Sequence, residues 1–291
     1  MAAAGYAVRE NDPFTDKPSL VIGARETSPY ANSLRLLWQK MREPVIERFP
    51  KAPGPPRNIE AYLKRVTDAY VTDAYHSLSI EGYRVTPALI ERVRRGSRNP
   101  EADEGDREQR NTIAARGYWQ AFQAVQKSLG KILKGENPGE VADADHGTWY
   151  RELFAPSVAV GLLKPADLAG YRNGQVYVRE SMHVPLNRDA ARDAMPAFFD
   201  LLREEPRPAV RLMLGHFIFV YILIWMATAA SGASWTVIPV TNRNAYVNAL
   251  EKASVGEDIV HFADFLAGLV KKRLAGEPLP AVPKASLADE R

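Results

Sequence analysis

Between Arg211 and Arg243 the chain carries no Asp, Glu, Lys or Arg, and the heart of that run reads FVYILIWMATAASGASWTVIPV, Phe219 to Val240. About 20 consecutive apolar residues suffice to cross a bilayer. The run therefore allows three readings: a membrane span, a helix buried in a core, or sequence foreign to its surroundings. Thr228, Ser231, Gly232 and Ser234 dilute its second half. Its flanks lack the basic bias and paired aromatic belts of a span. The segments around it have the amphipathic pattern of soluble helices. A core helix ending near Gly232 is the expectation, and no membrane partner is expected.

The other totals exclude more than they assign. Apolar residues make up 46% of the 291 and charged residues 25%, the balance of a globular chain. The absence of cysteine excludes a disulfide framework, thiol catalysis and Cys-based zinc sites. The net charge of +3 is small for this length. A nucleic-acid binder concentrates basic charge on one face, and the best candidate, ERVRRGSRN at Glu91 to Asn99, reads as a solvated turn. No nucleic-acid partner is expected. The opening MAAAGYAVRENDPF lacks the charged start and apolar run of a secretory signal, and the expected location is cytoplasmic.

Periodicity predicts a mainly α chain. SLRLLWQKMREPVIERF places Leu34, Leu36, Leu37, Met41 and Val45 at helical spacing. The Pro-rich PKAPGPPRN then acts as a connector. A long helix is expected from Ile59 to Ser77, with Val66, Ala69, Tyr70, Asp73 and Ala74 tracing its faces. EGYRV interrupts it, and Thr86-Pro87 opens a short helix as N-cap and first-turn proline. Further helices are expected near 109–129, 139–153, 188–204, 209–230, 242–253 and 259–272. Asn173-Gly174 between short alternating segments is the strongest short signal for a β-hairpin. The expected division is an N-terminal segment and linker at 1–56, a helical region at 57–136, a core domain at 137–272 and a loose tail at 273–291.

Four segments in order resemble the Fic (filamentation induced by cAMP) family, in particular its bacterial branch with an N-terminal inhibitory helix. SLSIEGYRVT is similar to the inhibitory motif Ser/Thr-x-x-x-Glu-Gly/Asn, here Ser77, Glu81 and Gly82. LAGYRNGQVYVRESMHVP resembles the flap hairpin before the active site. LGHFIFVYI resembles the start of the active-site helix, and WTVIPVTNRNAYVNALEKAS resembles the segment after the active site. The resemblance implies a helical bundle with a small β-hairpin flap. It also implies AMP transfer from ATP, with Mg²⁺, to a Ser, Thr or Tyr hydroxyl of a target protein. The target would be held by strand addition along the flap, where Arg172, Val176, Tyr177, Val178 and His183 match by position. Tyr246 matches a position near the nucleotide. In the inhibited state of such a protein the motif glutamate pairs with the last signature arginine. Homo-oligomerisation is left open.

The catalytic signature of that family, His-Pro-Phe/Tyr-x-x-Gly-Asn-Gly-Arg-x-x-Arg or a close variant, is missing. Residues 223–234 supply no general base, no metal carboxylate, no Gly-Asn-Gly phosphate cradle and no arginine. His216 precedes the expected position and reads as a core or interhelical histidine. No catalytic or metal-binding residue is therefore expected, and ATP and Mg²⁺ binding is expected to be weak or absent. With its partner arginine gone, Glu81 has nothing to restrain. An alternative function is a non-catalytic binding module that uses the flap.

The genetic code suggests how the signature was lost. Trp and Met have single codons and every Ala codon begins GC. Trp225-Met226-Ala227 therefore contains GAT-GGC, Asp-Gly, in a neighbouring frame. One permitted set of codons from Tyr221 to Ser234 reads in that frame as His-Pro-Tyr-Met-Asp-Gly-Asn-Gly-Arg-Ile-Gly-Arg-Phe. Only Asp-Gly is forced. The expectation is a frameshift near Ile222, compensated before Trp235, with about one helical segment lost relative to the family.

Overall fold

The computed structural model describes residues 28–96, 106–171, 174–177, 181–223 and 235–283. Among them the regular structure is helical: α1 (Pro29–Arg48), α2 (Ile59–Asp68), α3 (Tyr70–Ile80), α4 (Pro87–Arg94), α5 (Asp106–Leu133), α6 (Pro138–Ala159), α7 (Arg188–Glu204), α8 (Pro208–Leu223), α9 (Arg243–Val255) and α10 (Val260–Leu274). Short 3-10 turns lie at Pro165–Leu168 and Val240–Asn242. No described helix is long and apolar enough to cross a membrane.

The apolar residues collect into two cores. The first joins α1, α7, α8, α9 and α10. α1 contributes Ala31, Leu34, Trp38, Met41 and Val45, an alternation of three and four that keeps one face inward. Leu36, which the periodicity had included, is exposed. α7 is capped by Asn187, whose side chain accepts from the N–H groups of Asp189 and Ala190. α8 buries Val210, Met213, Leu214, Phe217 and Ile218, as a core helix requires. The apolar run beyond Leu223, residues 224–234, lies outside the described residues.

An ion pair fastens α1 to the end of α7. Arg42 donates to Glu205 through Nε at 2.9 Å and Nη2 at 3.2 Å, and the Arg207 N–H adds a bond at 2.9 Å. Burial pushes the Glu205 carboxyl up, but these donors outweigh it and hold the group below the ordinary carboxylate range.

The second core gathers α2, α3, α4 and α5 around Tyr70, Leu78, Ile90, Phe122 and Leu129. Where one long helix was expected from Ile59, the structure forms two, with Ala69 turning between them. Asn58 caps the first by accepting from the Ala61 N–H at 2.8 Å. Thr86 caps α4 by accepting from the Leu89 N–H at 3.1 Å, with Pro87 in its first turn. α5 and α6 run against each other at the close approach of Gly117, where a β-carbon would lie 1.9 Å from the Leu153 carbonyl oxygen.

The small hairpin is not supported, and its residues 172–173 and 178–180 lie outside the described residues. Among the described residues there is no strand, and 174–177 make no ladder. Gln175 instead donates its side-chain Nε2 to the carbonyls of Val176 and Pro185, at 3.2 and 2.9 Å. The physical reason lies in the alternation itself. Val176 and Tyr177 point to opposite sides by pattern, yet both are exposed, so burial fixes no register. An isolated two-stranded hairpin is marginal in water. Arg172 and Val178, two of the expected flap residues, lie outside the described residues.

Candidate functional site

α3 ends in a backbone motif that sets its last side chains in place. The Gly82 N–H bonds to the Ser79 carbonyl at 3.1 Å and the Tyr83 N–H to the Leu78 carbonyl at 3.0 Å. These are the paired bonds of a Schellman motif, and Gly82 adopts the positive φ of 88° that the motif demands. Asp73, Ser77 and Glu81 are four residues apart, so they share one face of the helix.

That face borders a cavity of about 730 Å³ between the two cores. α5 supplies Tyr118 and Phe122, α6 supplies His146 and Trp149, and α8 supplies His216 and Phe219. α9 closes another side with Arg243 and Tyr246. The volume is that of a small-molecule site and the walls are mostly apolar and aromatic.

Three polar groupings stand out in the wall. The Tyr118 hydroxyl donates to Asp73 Oδ2 at 2.7 Å and lies 3.1 Å from Ser77 Oγ. Burial pushes the Asp73 carboxyl up to about 6, against the opposing pull of Tyr118 and the Trp235 N–H. His216 Nε2 lies 2.9 Å from the Tyr246 hydroxyl. Burial, then the nearby Glu81 charge, raises the Tyr246 phenol far above its usual value. Arg243 Nε donates to the Ile80 carbonyl at 2.7 Å. Glu81 opens onto the cavity, and the protein around it raises its carboxyl while Arg243 pulls it back down.

Of the residues singled out from sequence, Ser77, Glu81, Tyr246 and His183 meet in this cavity. Gly82 serves it through the backbone. His183 follows a segment pinned by Glu251, which accepts from Ser181 Oγ at 2.5 Å and from the Met182 N–H at 2.7 Å. Val176 and Tyr177 are exposed and do not line it. Sequence reasoning gave no role to Asp73, Tyr118 or Arg243. For Asp73 a signal existed: an acid four residues before Ser77, on the same helical face as Tyr70. Behind the wall, His76 accepts from the Val240 N–H at 3.2 Å, tying α3 to the approach to α9. Burial lowers its pKa, opposed by the backbone of Pro280 and Ala281. Among the described residues no cluster of three or more His, Asp or Glu side chains is placed to hold a metal ion.

This arrangement of helices matches solved structures whose sequences have diverged far from it. A fragment of Fic-1 from C. elegans superposes with a TM-score of 0.57 at 17% identity, over 84% of this chain and 72% of that one. The chain has the Fic fold. A Fic family protein from Desulfovibrio desulfuricans gives a TM-score of 0.53 at 16% identity, over 86% of this chain and 75% of that one. A Fic domain containing signaling protein from Bacteroides thetaiotaomicron gives 0.50 at 13% identity, over 86% of this chain and all of that one. No family model matches the sequence, and no curated protein matches it. In this Fic fold the cavity lies where α3, α8 and α9 converge.

Proposed function

We propose that the chain descends from a Fic protein adenylyltransferase, keeps the regulatory helix of that ancestor, and no longer transfers AMP. The observation that carries the reading is the meeting of Glu81 with Tyr246 and Arg243 at one cavity, beside a sequence that offers nothing to perform the chemistry. AMP transfer needs a base for the incoming hydroxyl, an oxygen ligand for magnesium and cations on the phosphates. Residues 223–234 contain no His, Asp, Glu, Lys or Arg. The reading therefore rests on the sequence of that segment.

Incubation of Glu81→Gly with radiolabelled ATP, magnesium and a lysate is expected to label no protein. Robust labelling would overturn the reading. The DNA across residues 215–240 tests the route of loss. A neighbouring frame that encodes Asp-Gly-Asn-Gly-Arg supports a frameshift, and its absence rejects one.

A second reading, a binding module, is favoured by the segment before α7. Tyr177 is 74% exposed and Met182 79% exposed, while Glu251 anchors the backbone beside them. Conversion of both residues to Ser is expected to abolish retention of a target that the wild type retains. Undiminished retention would remove this reading.

A further inference from the structure

Asp73 is only 3% exposed and sits on α3 between the fully buried Tyr70 and Ala74. Among the described residues the one hydrogen bond to its carboxylate comes from the Tyr118 hydroxyl at 2.7 Å. The Trp235 indole N–H faces the same carboxylate outside hydrogen-bond geometry. No cation stands within ion-pair distance of Asp73 among the described residues. A buried carboxylate in that position is costly, because buried charges require a partner. At neutral pH the group is still largely ionised, since burial lifts it only to about 6.

Three arginines border the cavity, each bonded to a neutral oxygen away from Asp73. Arg243 holds the Ile80 carbonyl, Arg151 holds Thr148 Oγ1 at 3.0 Å, and Arg211 holds the Glu205 carbonyl. Three carboxylates border the cavity: Asp73 and Glu81 on one face of α3, with Arg243 near Glu81, and Glu251 on α9, which is bonded to Ser181 and the Met182 N–H. Between the polar groups the wall is largely apolar, with the rings of Phe122, Trp149, Tyr171 and Phe199. Such rings accept a flat apolar body and also favour a cation lying over a ring face.

We propose that this cavity binds an organic ammonium ion carried on an aromatic body, with the cation against Asp73 and the body among the aromatic walls. The proposal goes beyond the lost AMP transfer and does not depend on it. It requires neither a nucleotide nor a reaction, only a charge that no described cation answers and a space of matching size.

Titration calorimetry with tryptamine and its neutral counterpart, indole-3-ethanol, tests it on the full chain. The wild type is expected to prefer the amine at least tenfold. Asp73→Asn is expected to bring the two probes to parity. Tyr118→Phe keeps the carboxylate and removes its hydrogen-bond donor, so the preference is expected to persist or grow. Equal binding of the two probes by the wild type, or no binding of tryptamine at millimolar concentration, overturns the proposal. So does a preference that survives Asp73→Asn. If that variant fails to fold, Tyr118→Phe decides alone, and loss of the preference there overturns the proposal.

Discussion

The guanidinium of Arg243 bonds through Nε to the carbonyl of Ile80 at 2.7 Å, joining the start of α9 to the end of α3 across most of the sequence. A carbonyl at a helix C-terminus lacks an intrahelical donor, and a cation there also complements the helix dipole. Arg243→Ala removes both effects. The pair is exposed, so the expected loss of stability is about 1 kcal/mol or less. The sharper readout is hydrogen exchange, which is expected to accelerate at Glu81, Gly82 and Tyr83. Unchanged protection at those three amides would separate the bond from the order of the motif.

Asp73 predicts an unusual pH dependence. Its carboxyl is raised to about 6 in the folded chain, above its ordinary value in an unfolded one. Its stabilising contribution is therefore fully present below the unfolded pKa, and it is lost as pH rises through 6. Asp73→Asn retains an oxygen to accept from Tyr118 and cannot ionise. It is expected to match the wild type in stability near pH 4 and to exceed it at pH 7.5, by on the order of 3 kcal/mol. A lower Tm than wild type at pH 7.5 would show that the charge itself is needed.

Two glycines in α5 make opposite predictions. A β-carbon on Gly117 would lie 1.9 Å from the Leu153 carbonyl oxygen, while one on Gly130 meets nothing within 4 Å. Gly117→Ala has to push two backbones apart and is expected to cost 2 kcal/mol or more, on the order of an overpacking penalty. Gly130→Ala gains helix propensity worth roughly 0.5–1 kcal/mol. Urea unfolding of both variants checks the pair. Equal effects would contradict the close approach of α5 and α6.

The Arg42–Glu205 pair predicts an acid-side weakness. Glu205 is buried and held below the ordinary carboxylate range. Its contribution is therefore present above the unfolded pKa and is lost as pH falls through the depressed folded one. Arg42→Ala leaves that charge without its main partner and is expected to cost about 3 kcal/mol at pH 7, with a smaller penalty near pH 3. Thermal melts at the two pH values measure both, and an equal penalty would exclude the ion pair as the cause.

Local signals explain how much of this was legible. The expected bounds of α7, 188–204, are those the structure gives, Arg188–Glu204, with Asn187 as its cap. Thr86-Pro87 carried its cap in plain view. The break at Ala69 was not legible, because alanine is the best helix former and only packing can turn the chain there. The hairpin finds no support among the described residues, because Asn-Gly speaks for a turn but not for the burial that two strands need. At the site, the motif spacing led to Ser77 and Glu81. Tyr118 and Arg243 reach the same cavity from 41 and 162 residues beyond Ser77 and Glu81 respectively, and no local pattern expresses a distance of that kind. The ionic role of Glu205 was equally hidden, since its partner lies on α1.

The φ of 88° at Gly82 gives one letter of a sequence motif a meaning of its own. The position after Glu81 is a question of handedness. Side chains of L residues crowd the left-handed region, and the exceptions are glycine, which has no β-carbon, and to a lesser degree asparagine. Those are the two residues admitted there by the motif that SLSIEGYRVT resembles. The second half of Glu-Gly/Asn therefore records no chemistry at all. It records the direction in which the chain must turn so that a carboxylate is the last thing the helix presents.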